Sequence, residues 1–308
     1  MEPKKIDLNN ISEINKFIER EIFPYARVYE YRRQEFQRKT RQRIAKLIAC
    51  STLLFFILNA YIRDMLFALV FVFILTTIIY SGIVNSGTRL FLDKFKPEMF
   101  KVLYSVIADI SLVKPEEWLS RDVSYMEIPF FRRSDDVHID DAFNVKYKGK
   151  EFGIEELRLV TITGTHEHRR YITEYSGIFI PLKLTHNINE TIIVANRNFE
   201  YVDMSLPAYY TNNKKFDYYY TSCATNPEVA KTIINEQLIE KLMKIKEKAN
   251  IVLCYHNDNI YIGIRKSVED MFEVSLKNNI VNVDIYRELI LQMKMIFDVI
   301  DFFIDEIE

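Results

Sequence analysis

Glycine is scarce: the 308-residue chain holds seven. Phosphate-cradling loops draw on glycines in fixed patterns, and neither GxGxxG nor GxxxxGK[ST] occurs here. Three cysteines, Cys50, Cys223 and Cys254, stand far apart. No CxxC pair exists, so a zinc ribbon or a dithiol redox motif has no support. Unpaired cysteines fit a reducing compartment. No GxSxG elbow or HExxH helix occurs, so the common nucleophile and metalloprotease signatures are absent. The net charge is only −2, which gives no general case for nucleic acid. The first 46 residues are polar and contain no apolar core of a signal peptide.

What the chain does have is apolar length. Residues 47–62 carry no charge, Arg63 and Asp64 interrupt, and residues 65–88 again carry none. A bilayer core about 30 Å thick is crossed by roughly 20 apolar residues as helix. The second run is long enough. The first reaches that length with Ile44 and Ala45, while Lys46 reaches back to the interface with its aliphatic stem. Backbone in lipid has to satisfy its own hydrogen bonds, so two spans with so short a connector form an antiparallel helical hairpin. Neither span holds an internal charge, which suits an anchor better than a conduction path.

The flanks give the hairpin a direction. Arg32, Arg33, Arg38, Lys39, Arg41, Arg43 and Lys46 precede it, and Arg89, Lys94, Lys96 and Lys101 follow it. Basic outer flanks and a neutral connector place both termini in the cytoplasm, with the 63–64 tip outside. The same basic run also fits contact with anionic headgroups.

Before the spans, Ile11, Ile14, Phe17, Ile18 and Ile22 recur at helical spacing, with Ser12 and Asn15 near the start. Pro24 is expected to break or kink that helix, with a second one running from about Tyr25 into the first span. After the spans, Phe91, Phe95, Met99, Leu103 and Ile107 predict helix over 90–110, divided at Pro97; residues 111–133 have no period. Alternation then predicts a β-hairpin at 143–163 around Lys148-Gly149, a strand over 170–184 with an edge or bulge at Pro181, and strands at 191–195 and 216–221. Asn226-Pro227-Glu228 starts a helix that resets at Asn235. Strands at 251–255 and 260–264 flank a turn, and an amphipathic helix begins at about Asn282. The expected class is α+β: a helical segment with a basic flank (1–46), a two-span hairpin (47–88), and a cytoplasmic domain (89–308) with a mainly antiparallel sheet flanked by helices.

Three clusters have residue types that carry chemistry. Asp135-Asp136-Val137-His138-Ile139-Asp140-Asp141 offers hard oxygen donors and an imidazole, and Asp136, His138 and Asp140 are the candidate metal ligands. The plainer and favoured reading is a solvated acidic loop leading into a strand. His166 and His168 form an HxH pair that reads more simply as a hairpin turn. Tyr209, Tyr210, Tyr218, Tyr219 and Tyr220 could stack bases, but with few interleaved cations they read as strand core and edge. No catalytic residue and no cofactor is expected.

The order of parts resembles a bacterial family of two-span membrane proteins, domain of unknown function 3137. The resemblance rests on Glu21-Ile22-Phe23-Pro24, Phe95-Lys96-Pro97-Glu98, Ser134-Asp135-Asp136 leading to Phe143, Glu155-Glu156-Leu157, Ser176-Gly177-Ile178-Phe179, the helical stretch 228–248, Asn259-Ile260-Tyr261-Ile262-Gly263-Ile264 and Met271-Phe272-Glu273. It covers nearly the whole chain. Asp140-Asp141 stands where such proteins tend to carry a glycine after the Ser-Asp element. The resemblance implies a bacterial inner-membrane location and no activity. The leading expectation is a membrane-anchored scaffold or interaction module, with membrane lipids and a protein partner or a second copy as its contacts. The alternatives are a metal-dependent enzyme using Asp136, His138 and Asp140, and an anionic-lipid sensor using the basic flank.

Overall fold

Asn10 accepts the Ser12 N–H at 3.0 Å and caps α1 (Ile11–Phe17), which starts where the helical spacing predicts, with Asn10 rather than Ser12 as its cap. A π-turn (Ile18–Ile22) follows and leads into α2 (Phe23–Ile62). Pro24 has no N–H to donate, and the widened turn before it accommodates that loss without ending the helical path. This computed structural model describes residues 6–62, 65–114, 125–164, 168–199, 203–265, 271–274 and 278–307, with 62, 83–93 and 126 described by backbone only. The expected connector Arg63-Asp64 lies outside the described residues.

Helix α2 runs 40 residues and α3 (Met65–Leu103) runs 39, each without interruption. Both are long and apolar enough to cross a membrane. They touch at Ala68 and Val72, and Ser51 Oγ lies 2.7 Å from Thr76 Oγ1 across the pair. Thr52 and Thr77 return their hydroxyls to the carbonyls of Ile48 and Phe73. The division expected at Pro97 is absent, since one missing donor near the end of a long packed helix does not stop it. The helix does stop short of Ile110. A 3-10 turn (Tyr104–Val106) follows, then β1 (Asp109–Val113), where irregular chain was expected. Pairing with a distant strand overrides the local helical period there.

That strand is β2 (Asp136–Tyr147); it turns at Lys148-Gly149 into β3 (Lys150–Thr163). Both turn residues have positive φ, 48° and 79°, the type I′ signature. Then follow β4 (Arg170–Lys183), β5 (Thr191–Asn196), β6 (Ala208–Tyr209), β7 (Tyr220–Ala224), β8 (Ile251–His256) and β9 (Asn259–Arg265). They form one sheet in the order β1-β2-β3-β4-β9-β8-β5-β7-β6, and every pairing is antiparallel. Pro181 pairs with β9 alone, past the end of β3's pairing, where its missing N–H costs no ladder bond.

Residues 216–221 are not the aromatic strand that alternation predicts. They split into α4 (Lys214–Tyr219) and the start of β7. Asn213 caps α4 by accepting the Phe216 N–H, and Phe216 stacks on Tyr220 one helical turn later, 4.9 Å apart. Asn226, Asn235 and Asn282 likewise cap α5 (Pro227–Ile233), α6 (Glu236–Ile245) and α7 (Val283–Ile300).

The sheet is buried on both faces. Ile192, Val194, Leu253, Ile262 and Ile180 face the helices, and Ile14, Phe17, Ile18 and Ile22 of the N-terminal helix enter the same core. Their neighbours Ile193, Ala195, Val252, Cys254 and Phe179 face the other way, under Tyr125, Ile128, Phe130 and Phe131. Two-sided burial is why β5 and β8 read as unbroken apolar runs. Cys223 and Cys254 flank Ile193 on opposite sides, two strand spacings or about 10 Å apart, too far for a disulfide.

Candidate functional site

The base of the helix pair meets the sheet through charge. On α2, Glu30 and Arg33 lie one turn apart and are both buried. Arg33 donates twice to the Glu30 carboxylate, from Nε at 2.8 Å and a terminal nitrogen at 2.6 Å. Gln34 and the Ile280 N–H also donate to it, tying α2 to the segment ahead of α7. The Arg33 bonds hold the Glu30 carboxyl down at about 2, against the opposing effect of burial. Beside them the Tyr29 hydroxyl donates to Glu98 of α3 at 2.6 Å, and its ring meets Phe95 edge-on at 5.1 Å. Burial and Glu98 push the Tyr29 hydroxyl up to about 12.

A second cluster joins α3 to the sheet. Lys96 Nζ sits 3.0 Å from Asp141 on β2 and 2.9 Å from Glu273. Asp141 is in register with Glu156 of β3, whose Oε1 accepts the Met271 N–H at 3.2 Å. Burial raises the Asp141 carboxyl to about 7; Lys96 opposes the rise, and Glu156 and Glu273 add to it. Lys96 stays charged, because its two acids outweigh its own burial. Burial together with the neighbouring Glu156 and Glu273 carboxyls makes Asp141 the acid that readily holds a proton there. The Tyr104 hydroxyl is buried beside Asp141 and Glu156 with no hydrogen-bond partner among the described residues, and burial drives it well above its usual range.

A bulge decides which acid enters. Ile139 pairs with Leu157 and Asp141 with Glu156, so Asp140 is the extra residue and turns out to solvent while Asp141 turns in. The next pair along, Glu155, points to the opposite face and accepts the Tyr125 hydroxyl at 2.6 Å. Two consecutive buried acids in one strand thus serve the two faces separately.

Of the sequence candidates, Asp136 and His138 meet at 3.1 Å on the same side of β2, both half exposed, while Asp140 stands apart at the bulge. The acidic stretch is therefore strand from Asp136 onward, rather than the loop expected. Among the described residues no three His, Cys, Asp or Glu side chains gather closely enough to hold a metal ion. His168 is exposed, and His166 lies outside the described residues. In the basic flank, Arg33 is the buried partner of Glu30; Arg32 lies over the Tyr29 ring at 5.3 Å; Arg38, Lys39, Arg41, Arg43 and Lys46 are exposed along α2. Tyr218 and Tyr210 are exposed, while the Tyr220 hydroxyl donates to the Leu242 carbonyl at 2.7 Å. Cys223 and Cys254 are buried thiols, the first pushed up to about 11 by burial, which leaves them unreactive.

The junction residues Glu30, Lys96, Tyr104, Asp141, Glu156 and Glu273 are missed by motif reading. Glu155-Glu156 inside an apolar strand run was the signal on offer, since a buried acid pair demands partners.

No curated protein matches the chain. A solved structure, the crystal structure of the mycobacterial trehalose monomycolate transport factor A, TtfA, is similar over 54% of this chain and 75% of its own, at 9% identity and a TM-score of 0.30. A family model matches from within β4 to just past α7, which takes in the second half of the sheet and leaves out the helix pair. That match, over residues 173–304, is to the family described as "Protein of unknown function (DUF3137)".

Proposed function

We propose that the protein is a membrane-anchored scaffold or interaction module, held in a bacterial inner membrane by α2 and α3 with both termini in the cytoplasm. One observation carries this reading. Two helices run unbroken from bare apolar surface into a buried polar clamp. Leu53, Phe56, Ile57, Leu66, Phe67, Phe73, Ile74 and Ile78 are all exposed on the pair. Water makes such a surface costly, at about 25 cal/mol per Å² of apolar area, and lipid does not. Between the clamp at Arg33 and the apolar run from Ile44, α2 rises about ten residues, or about 15 Å. That length fits a headgroup layer, and Arg38, Lys39, Arg41 and Arg43 lie within it.

The sheet domain would then hang directly beneath the inner leaflet with its orientation fixed by the clamp. Its partner is another protein or a second copy at the membrane, and lipid is the other contact. The test is a carbonate wash of native membranes with reporter fusions at residues 63–64, between the two apolar runs, and at both ends. Retention, with residues 63–64 external and the ends internal, is expected; release by carbonate overturns the anchor. Crosslinking in native membranes that yields neither a partner nor self-association overturns the scaffold.

A further inference from the structure

Residues 271–274 touch α3, β2 and β3 where helix and sheet are joined. They are neither helix nor strand. Met271, Phe272 and Val274 are buried, and the Phe272 ring meets Phe143 of β2 edge-on at 4.9 Å. Two polar ties hold them among the described residues, and both end in the acid cluster. Met271 donates its N–H to Glu156 at 3.2 Å, and Glu273 lies 2.9 Å from Lys96 Nζ.

Asp141 sits at the centre of these ties. Lys96 of α3, Tyr104 in the turn after it, Glu156 of β3 and Glu273 all face it. Tyr104 stays neutral, since burial drives its hydroxyl up. Asp141 and Glu273 share one ammonium, at 3.0 and 2.9 Å. With a proton on Asp141, Lys96 is left to Glu273. Loss of that proton puts a second anion on the same ammonium. It competes with Glu273 for Lys96, repels the neighbouring carboxyls, and is buried away from water. The joint has one weak member to relieve this. Strands β2 and β3 hold each other along a ladder, and α3 is a helix of 39 residues. Residues 271–274 lie outside every ladder, and the Glu273 side chain is already 41% exposed. They are the part that opens at least cost.

We infer that residues 271–274 are a proton-sensitive strap, fastened to the joint while Asp141 holds a proton and opening when that proton is lost. Opening takes the Phe272 ring off Phe143 and lets water reach Asp141. The device does not depend on whether α2 and α3 cross a membrane. Burial raises Asp141 from 3.8 to about 7, so the closed strap binds the proton more tightly than the open one, and rising pH favours opening. Full return of Asp141 to its ordinary value raises the opening constant by about tenfold between pH 6 and pH 8.

The test uses the full chain in detergent micelles with Cys50→Ser and Val274→Cys. A maleimide at low concentration labels the new thiol at a rate set by opening. The same protein with Asp141→Asn is labelled in parallel, and the ratio of the two rates at each pH removes the thiol's own titration. That ratio should rise by about tenfold between pH 6 and pH 8. Cys223 and Cys254, 1% and 0% exposed, should stay unlabelled meanwhile. A flat ratio overturns the proton dependence. A new thiol that labels only in step with Cys254 reports opening of the whole fold and overturns the strap. The Met271 amide gives a second reading in the unsubstituted chain, by hydrogen exchange followed by NMR. Its protection, corrected for the intrinsic rate, should fall by about tenfold over the same range. Constant protection overturns the proposal even where a variant fails to fold.

Discussion

Asp141→Asn should make the protein more stable at neutral pH, and the gain should vanish in acid. The Asp141 carboxyl has an ordinary value of 3.8 and is raised to about 7 in the fold, chiefly by burial. Between those values the folded chain holds a proton that the unfolded chain has released. Stability therefore falls as pH rises through this window, by about 1.4 kcal/mol per unit for one proton. From pH 5 to pH 7 this amounts to about 2.5 kcal/mol. Asparagine keeps the shape of the protonated acid and cannot ionise, so the variant loses this slope and keeps every other. The difference between the two proteins isolates Asp141. The assay is chemical denaturation in detergent micelles, followed by circular dichroism, at several pH values between 5 and 8. The expected result is a lead for the variant that is already present at pH 5, about one pH unit above the unfolded value of 3.8, and grows with pH toward 7. A variant that falls further behind as pH rises would show that Lys96, and not burial, governs Asp141, and the account of the cluster would fail.

Arg33→Met strands the Glu30 carboxylate in a buried site and should cost about 3 kcal/mol, with part of the loss recovered by adding Glu30→Gln; a double-variant cycle measures the coupling. Because Arg33 holds the Glu30 carboxyl at about 2, its contribution should persist above about pH 4.5 and fade as pH falls toward 2. Gly177→Ala should destabilise by about 3 kcal/mol, and Gly263→Ala by less. A Cβ on Gly177 would lie 2.4 Å from the Ile264 carbonyl oxygen, which is backbone, while one on Gly263 meets the movable Val252 side chain at 2.6 Å. The two denaturation midpoints should rank in that order. Cys223 and Cys254 should resist a thiol reagent in the native protein and react fully after denaturation, without prior reduction, because no disulfide joins them.

The parts of the fold that were legible are those whose signals are local. Asn226, Asn235 and Asn282 announce helix starts, because a cap bonds within three residues of itself. Lys148-Gly149 announces its turn by the same logic. Residues 216–221 misled because aromatic residues suit both a strand and a helical i, i+4 stack, and only Asn213 decides between them. Strand β1 was hidden because its stabilising partners, residues 142–146, lie 29 to 37 positions away. The junction was hidden for a related reason. The sequence offers Asp140 and Asp141 side by side, and a bulge chooses between them. That bulge exists only relative to β3, so no reading of β2 alone could name Asp141. Lys96 reads as one more flanking cation until Asp141 and Glu273 are placed beside it.

A charged joint between helix and sheet is costly beside an apolar one, and α3 shows why it is worth having. The helix presents Phe95, Met99 and Leu103 to the core at a spacing of four, all fully buried. Such a stripe is nearly unchanged by a slip of one turn, about 5.4 Å, so apolar packing alone specifies the depth of α3 poorly. For an anchored domain that depth sets the height of the sheet under the membrane. Lys96 removes the ambiguity, because a slip of one turn would carry its ammonium away from Asp141 and Glu273 and leave charges buried without partners. Replacing the joint with Lys96→Met and Asp141→Leu should then preserve or raise stability, as apolar replacement of buried ion pairs often does by about 1–4 kcal/mol. The same change should broaden the distance between spin labels on Lys101 and Ser111 from one population into two. A single unshifted distance in the double variant would mean that the apolar stripe fixes the register unaided, and that the charges serve some other end.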